Sequence, residues 1–285
     1  VLRVLMTLEK INGGVIHLDG EPLTHMDTNG KLVEANEKYL RDRRSKIGMV
    51  FQDPYGSLNP RMRAGDIIGE PLKVHNLVES RENYRSQIAS LLSTVGLSSA
   101  MAERYPNEFS GGQRQRLGIA RAIAAGPSML ILDEAVSALD VSIQAQVLNL
   151  LQDLQEQYSL AYLFIAHDLS VVRHISHRVA VMYLGRIVET ASSSDMYENP
   201  LHPYTQALLS AIPTPNPVHE RSRERIILRD DLPSPLDPPS GCRFHTRCPV
   251  ATDLCSQTDP DLRVLASNQQ AACLLAPGYS GAKGV

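Results

Sequence analysis

FSGGQRQRLGIARAIAAGPSMLILDEAVSALD, residues 109–140, decides the fold. Ser110 stands before two glycines and a helix-forming run. A serine there is a good helix N-cap, because its hydroxyl accepts a backbone N–H of the first turn. Gly111 and Gly112 let the backbone come close to a ligand. The unpaired N–H groups and dipole of such a helix start favour an anion, for example a phosphate. Further on, Met129 to Leu132 is apolar without alternation, as expected of a strand buried on both faces of a parallel sheet. Asp133 and Glu134 follow it, at the strand end where open α/β sheets place their ligands. The first carboxylate suits Mg²⁺, and the second suits a general base that polarises an attacking water. A carboxylate pair after a strand is common by itself, and the SALD turn ending at Asp140 gives it weight.

The 285 residues allow one large domain and a smaller appendage. An apolar content of 43% and a charged content of 21% are those of an ordinary globular chain. A net charge of −3 gives no reason to expect a nucleic acid partner. No apolar run approaches the length of a membrane span. Val1 to Lys10 mixes apolar and charged residues at helical spacing, unlike a secretory leader. The expected place is the cytoplasm, with any membrane association made through protein partners.

Working outward, VLRVLMTLEK reads as the body of an amphipathic helix, Asn12-Gly13-Gly14 as a turn and Val15 to Leu18 as a short strand. Residues 24–46 read as a polar surface excursion, hairpin or helix. Ile47 to Phe51 is strand-like, and Gln52 follows it. From Asp53 to Gly126 a helical period dominates, with breaks expected at Pro54, Pro60, Pro71 and Pro106. Val141 to Tyr158 is a predicted helix, and Ala161 to Ala166 and Val179 to Tyr183 are predicted strands. The alternation predicts a mostly parallel α/β sheet with a helical insertion at 53–126. Prolines at 213, 215, 217, 233, 235, 238 and 239 predict a linker or irregular tail, and the domain boundary is placed near 191.

The order of these motifs resembles the signature, Walker B and D-loop of the ATP-binding cassette (ABC) ATPases. The resemblance implies a P-loop NTPase, RecA-like cassette over residues 1–190, with a helical subdomain at about 53–126 and an irregular extension over 191–285. It implies that Asp133 binds Mg²⁺ with ATP, that Glu134 is the catalytic base and that His167 is the switch histidine facing the γ-phosphate. Gln52 would be the Q-loop glutamine, contacting metal or water and sensing the membrane subunit. Ser110, Gly111, Gly112 and Gln113 would complete the ATP site of an opposite subunit, and Asp140 would close a D-loop packed on that partner. ATP held between two cassettes requires a dimer, with an identical or paralogous second subunit. Ala135 departs from the proline commoner after the Walker B glutamate.

No G-x-x-x-x-G-K-[ST] phosphate loop occurs in the 285 residues. In the family its lysine comes just before the helix that here starts at Val1. The expectation is therefore a sequence shortened at its N-terminus, with negligible ATPase activity by itself. The alternative is a catalytically deficient cassette that lends its signature to a partner. A cassette of DNA repair or translation fits less well, given the near-neutral charge and the C-terminal extension.

FQDPYGSLNPRM, SALDVSIQAQVLNLL, HRVAVMYLGRIVE and NPLHPYTQALLSAIP resemble the ATPase subunits of dipeptide, oligopeptide and glutathione importers. That resemblance implies import of peptides or peptide-like solutes, two transmembrane permeases, a periplasmic or extracellular solute-binding protein, and a peripheral place on the cytoplasmic face of the bacterial inner membrane. Residues 1–52 look closer to polar amino-acid and ectoine importers, and a mosaic joined at Gln52 is expected. Cys242, Cys248, Cys255 and Cys273 all lie in the extension, and the resemblance implies that they hold a [4Fe–4S] cluster. Their spacing contains no C-x-x-C, which disfavours zinc without removing it, and unligated thiols are the third possibility.

Overall fold

The structure, a computed structural model, describes residues 5–6, 9, 13–26, 32–34, 37–213, 225–228, 231–266 and 268–279. Contacts divide the chain into two compact units, Val1–His167 and Asp168–Val285. Most of the expected opening helix lies outside the described residues.

The first unit begins with three short antiparallel strands, β1 (Ile16–Leu18), β2 (Glu21–Met26) and β3 (Leu32–Glu34). Helix α1 (Glu37–Arg44) follows, so the polar excursion is both hairpin and helix. Strand β4 (Ile47–Val50) leads into the helical insertion, α2 (Ala64–Val74), α3 (Arg81–Thr94) and α4 (Gly111–Ile123). Strand β5 (Met129–Asp133), helix α5 (Val141–Tyr158) and strand β6 (Ala161–Ile165) complete the unit. The last helix has the predicted bounds. Pro71 does not break α2 but sits inside it. An interior proline costs roughly 3 kcal/mol. Ile67, Ile68 and Leu72 of the same helix are fully buried, and each such side chain contributes about 1.5–3 kcal/mol, so packing carries the helix through the proline.

β4, β5 and β6 form one parallel sheet in which Val50 pairs with Leu132 and Leu132 with Phe164. Leu130, Ile131 and Leu132 are each 0% exposed, so both faces of β5 are covered. On α5, Val147, Leu148, Leu151 and Leu154 form the buried stripe. β4 can lie against α4 only because residue 48 is glycine: a Cβ there would come within 2.3 Å of the Ala122 carbonyl oxygen and 2.4 Å of Leu130 Cδ2.

The second unit holds α6 (Leu169–Ile175), β7 (Arg178–Tyr183), β8 (Arg186–Ser192), α7 (Ser193–Glu198), α8 (Pro203–Ser210), α9 (Asp253–Gln257), β9 (Arg263–Ala266) and β10 (Gln269–Ala271). Two sequence expectations need correcting here. Val179 to Tyr183 does not extend the parallel sheet; β7 turns back through Leu184 and Gly185, both at positive φ, into the antiparallel hairpin β7–β8. The extension is not irregular throughout either. Its last two strands add to β8, giving the order β7-β8-β10-β9. Described residues between 225 and 244 form neither helix nor strand, as the prolines suggested.

Gly48→Ala is expected to lower the unfolding free energy by about 1–3 kcal/mol through overpacking between β4 and α4. Urea unfolding followed by circular dichroism measures it.

Candidate functional site

The parallel register brings three strand ends to one edge. Gln52 follows β4, Asp133 and Glu134 end β5, and His167 follows β6. Gln52 Nε2 donates to Glu134 Oε2 at 2.8 Å. His167 Nδ1 stands 3.2 Å from Glu134 Oε1. One carboxylate therefore spends its two oxygens on two neighbours that arrive from 82 residues before it and from the next strand. His167 is mostly exposed and Glu134 half-buried, so the triangle opens to solvent at the histidine.

Glu134 reaches this position through an uncommon backbone. Its φ is +46°, a left-handed conformation that costs a residue with a Cβ about 1–2 kcal/mol. Hydrogen bonds on both sides hold it there. Glu134 N donates to Ile165 O at 2.9 Å, and Ser137 N and Oγ donate to Glu134 O at 3.0 and 2.9 Å. Strain of this kind gathers where a side chain must be aimed.

Ser110 caps α4 as its sequence proposes. Gln113 N donates to Ser110 Oγ at 3.3 Å, and Ser110 N donates to Gln113 Oε1 at 3.0 Å, a reciprocal capping box. Ser110 itself is exposed. Gly112 is required by contact: a Cβ there would lie 2.5 Å from Ile143 Cγ2 of α5. Asp140 precedes α5 and is exposed, and its side chain makes no capping bond, so its carboxylate is not used to start the helix.

Burial raises the Asp133 pKa above the ordinary carboxylate range, and the charge of Glu134 adds to it. A divalent cation beside Asp133 would offset both causes, so the donor chemistry fits Mg²⁺. Among the described residues no three His, Cys, Asp or Glu side chains are grouped to hold a metal ion.

In the second unit Cys242 and Cys248 are half-buried and Cys255 and Cys273 buried. Burial pushes the Cys242 thiol up to about 11, and the other three thiols add to the shift. Cys242 N donates to Cys255 O at 2.8 Å. Sequence reasoning missed Glu189. This carboxylate is 0% exposed and accepts Leu201 N at 2.7 Å, His202 N at 2.9 Å and Gln269 Nε2 at 3.0 Å. His202 Nδ1 accepts Tyr204 N, which starts α8, and burial lowers the His202 pKa to about 4. The HPY string is thus a helix start tied to a buried acid. The only signal in the sequence was a lone carboxylate in β8, which reads Arg-Ile-Val-Glu-Thr-Ala-Ser.

A glutamine, a carboxylate pair and a histidine at three parallel strand ends, with a capped glycine helix start on the same unit, form the arrangement of an ATP-binding cassette. Residues 1–137 match the family described as "ABC transporter", and residues 188–255 match "Oligopeptide/dipeptide transporter, C-terminal region". The oligopeptide transport ATP-binding protein AppF of Bacillus subtilis is 50% identical over 273 residues, 96% of this chain and 80% of that protein. The chain belongs to the ATP-binding proteins of ABC transporters, in the oligopeptide/dipeptide branch. The oligopeptide transport ATP-binding protein OppF of Salmonella typhimurium is 56% identical over 91% of this chain and 75% of its own length. The dimeric ATP-binding cassette MJ0796, in a post-hydrolysis state bound to ADP and Pi, matches with a TM-score of 0.57 and 28% identity, covering 67% of this chain and 78% of that one. The AppF alignment runs on both sides of Gln52, so similarity to peptide-transport proteins is not confined to the part after it.

A proton would compete with a cation held at Asp133, so Mg²⁺-dependent nucleotide binding should weaken on acidification from a higher pH than an ordinary carboxylate would give. Glu134→Gln removes the second cause of the raised pKa and should move that onset to lower pH. Calorimetric titration with Mg²⁺ and nucleotide between about pH 5 and 8 checks both directions.

Proposed function

We propose that this chain is the ATP-binding subunit that couples ATP hydrolysis to import of peptides or peptide-like solutes. The Gln52–Glu134–His167 triangle carries the reading, since it places a candidate base between a strand-end amide and an imidazole. Glu134 polarises the attacking water, Gln52 holds one of its oxygens and aligns that water, and His167 faces the γ-phosphate. Mg²⁺, when bound with ATP, neutralises phosphate charge, and Asp133 is the residue that would hold it. Ser110 to Gln113 and Asp140 serve the site of a second cassette. The peptide-transport names of the relatives and the C-terminal region match support the solute class.

The remaining partners are two transmembrane permeases and a solute-binding protein. Among the described residues no helix is long and apolar enough to cross a membrane, so attachment to the cytoplasmic face of the inner membrane would run through the permeases. The helical subdomain, about residues 53–126, offers them Tyr55, Val74 and Tyr105, all exposed. We place the end of the ATPase domain at 190 and the extension at 191–285, which the start of the C-terminal region match at residue 188 supports.

We also assign a [4Fe–4S] cluster to Cys242, Cys248, Cys255 and Cys273. All four are half-buried or buried in the second unit, and Cys242 N donates to Cys255 O at 2.8 Å, which supports it.

Three outcomes are expected. In the assembled transporter, Glu134→Gln should slow ATP turnover by about 10²–10⁴-fold; a rate within twofold of the parent would remove Glu134 from the chemistry. Residues 1–285 by themselves should hydrolyse ATP negligibly, because no phosphate-loop string occurs among them; robust turnover abolished by Glu134→Gln would overturn that. Anaerobically purified protein should carry four iron and four sulfide per chain, as [4Fe–4S] demands, with a visible charge-transfer band; stoichiometric zinc or no metal would refute the cluster.

A further inference from the structure

The second unit holds a cleft of about 190 Å³ between the start of β8 and the loop that carries Cys242. Cys242 lies in its wall, and so does Ala272, the residue before Cys273. Arg186, Asp259 and Leu262 line it as well. Its floor is fixed backbone to backbone. Cys242 N donates to Cys255 O at 2.8 Å, and Ser240 Oγ donates to Ser256 O at 3.0 Å. Between those two ties Gly241 stands at a φ of +64°, and a Cβ there would come within 2.5 Å of Cys255 O. Only glycine lets the two cysteine-bearing loops approach so closely. The Arg243 guanidinium donates to Leu184 O and so ties the tip of the β7–β8 hairpin to the Cys242 loop.

Another side of the cleft is held differently. Arg186 Nη1 meets Asp259 Oδ2 at 2.6 Å, and the two side chains are 50% and 41% exposed. An ion pair so exposed is weak and is screened by salt. The cleft thus has a firm floor and one side that opens when a single ion pair breaks. Cys255 and Cys273 are buried and Cys242 is half-buried, and Cys242 is the one thiol among the described residues that line this cleft. A buried ligand set needs an entry path for its metal. We propose that this cleft is the port through which metal ions reach the four thiols, with Cys242 as the first ligand met and the Arg186–Asp259 pair as the gate. The inference rests on the reading of the four cysteines as one ligand set. It adds to that reading an order of binding and a point of control over loading and loss.

The test uses the full-length subunit, reduced and stripped of metal under anaerobic conditions. It is mixed with Co²⁺, followed by the visible cobalt–thiolate band, and separately with iodoacetamide, which carries no charge. Asp259→Asn and Arg186→Met should each speed both reactions about two- to fivefold, the range an exposed ion pair sets. Leu262→Trp, which fills the cleft, should slow both. In the parent the iodoacetamide rate should rise with salt, and in Asp259→Asn it should not. Peptide mapping after brief alkylation should find Cys242 modified first. Iodoacetamide rates unchanged in Asp259→Asn and Arg186→Met, or first modification at another cysteine, would overturn the proposal. A change confined to Co²⁺ would overturn the gate too, because it marks plain attraction between charges. If neither variant folds, a parent iodoacetamide rate that is flat with salt refutes the gate, and one that rises supports it. If the parent gives no cobalt–thiolate band, the ligand-set reading itself fails and takes the inference with it.

Discussion

The parallel register of β4, β5 and β6 is the constraint on which the rest depends. Val50, Leu132 and Phe164 lie in one row across the sheet. Gln52 and Glu134 each stand two residues past that row and His167 three. Three segments far apart in the chain therefore leave the sheet at one level, and their side chains meet without any long reach. A slip of one residue in either pairing would turn the exit of that strand to the opposite face. The apolar runs in these strands are thus read twice, once as core and once as the ruler that aligns the site. Gly48 belongs to the same ruler, because it allows α4 to sit close enough to touch the segment that follows β4.

The second constraint is the start of α4. A helix whose first turn is closed by its own serine and glutamine needs no neighbour to finish it. Gly112 keeps that turn against Ile143, the third residue of α5, and Asp140 lies just before the same helix. The Ser110–Gln113 turn and the Asp140 loop are in this way both held at the start of α5.

Much of this was legible in the sequence, and the reasons differ by element. The unbroken run at 129–132, the S-G-G-Q turn and the helix at 141–158 were readable because each is dictated by local residues. The positive φ of Glu134 was not, since it is imposed by β6 and Ser137 from outside. Pro71 misled because a local penalty was weighed without the burial of Ile67, Ile68 and Leu72. The β7–β8 hairpin was hidden for a related reason: its tip is Leu-Gly, not a polar turn pair, although Gly185 supplied half the signal. Strands β9 and β10 are four and three residues long, too short to show a period, and they owe their existence to β8. Glu189 looked like an ordinary surface residue because nothing near it in sequence announces Gln269.

That buried carboxylate has a consequence for the order in which the second unit can assemble. Its contacts to Leu201 and His202 span 12 and 13 residues, while its contact to Gln269 spans 80. As the chain leaves the ribosome, the local half can close as soon as α8 has emerged. The contact from Gln269 can form only once β10 has been made. Completion of the knot thus marks the arrival of the far end of the chain, and a nascent fragment ending before Gln269 would hold an acid that its surroundings were built to hide.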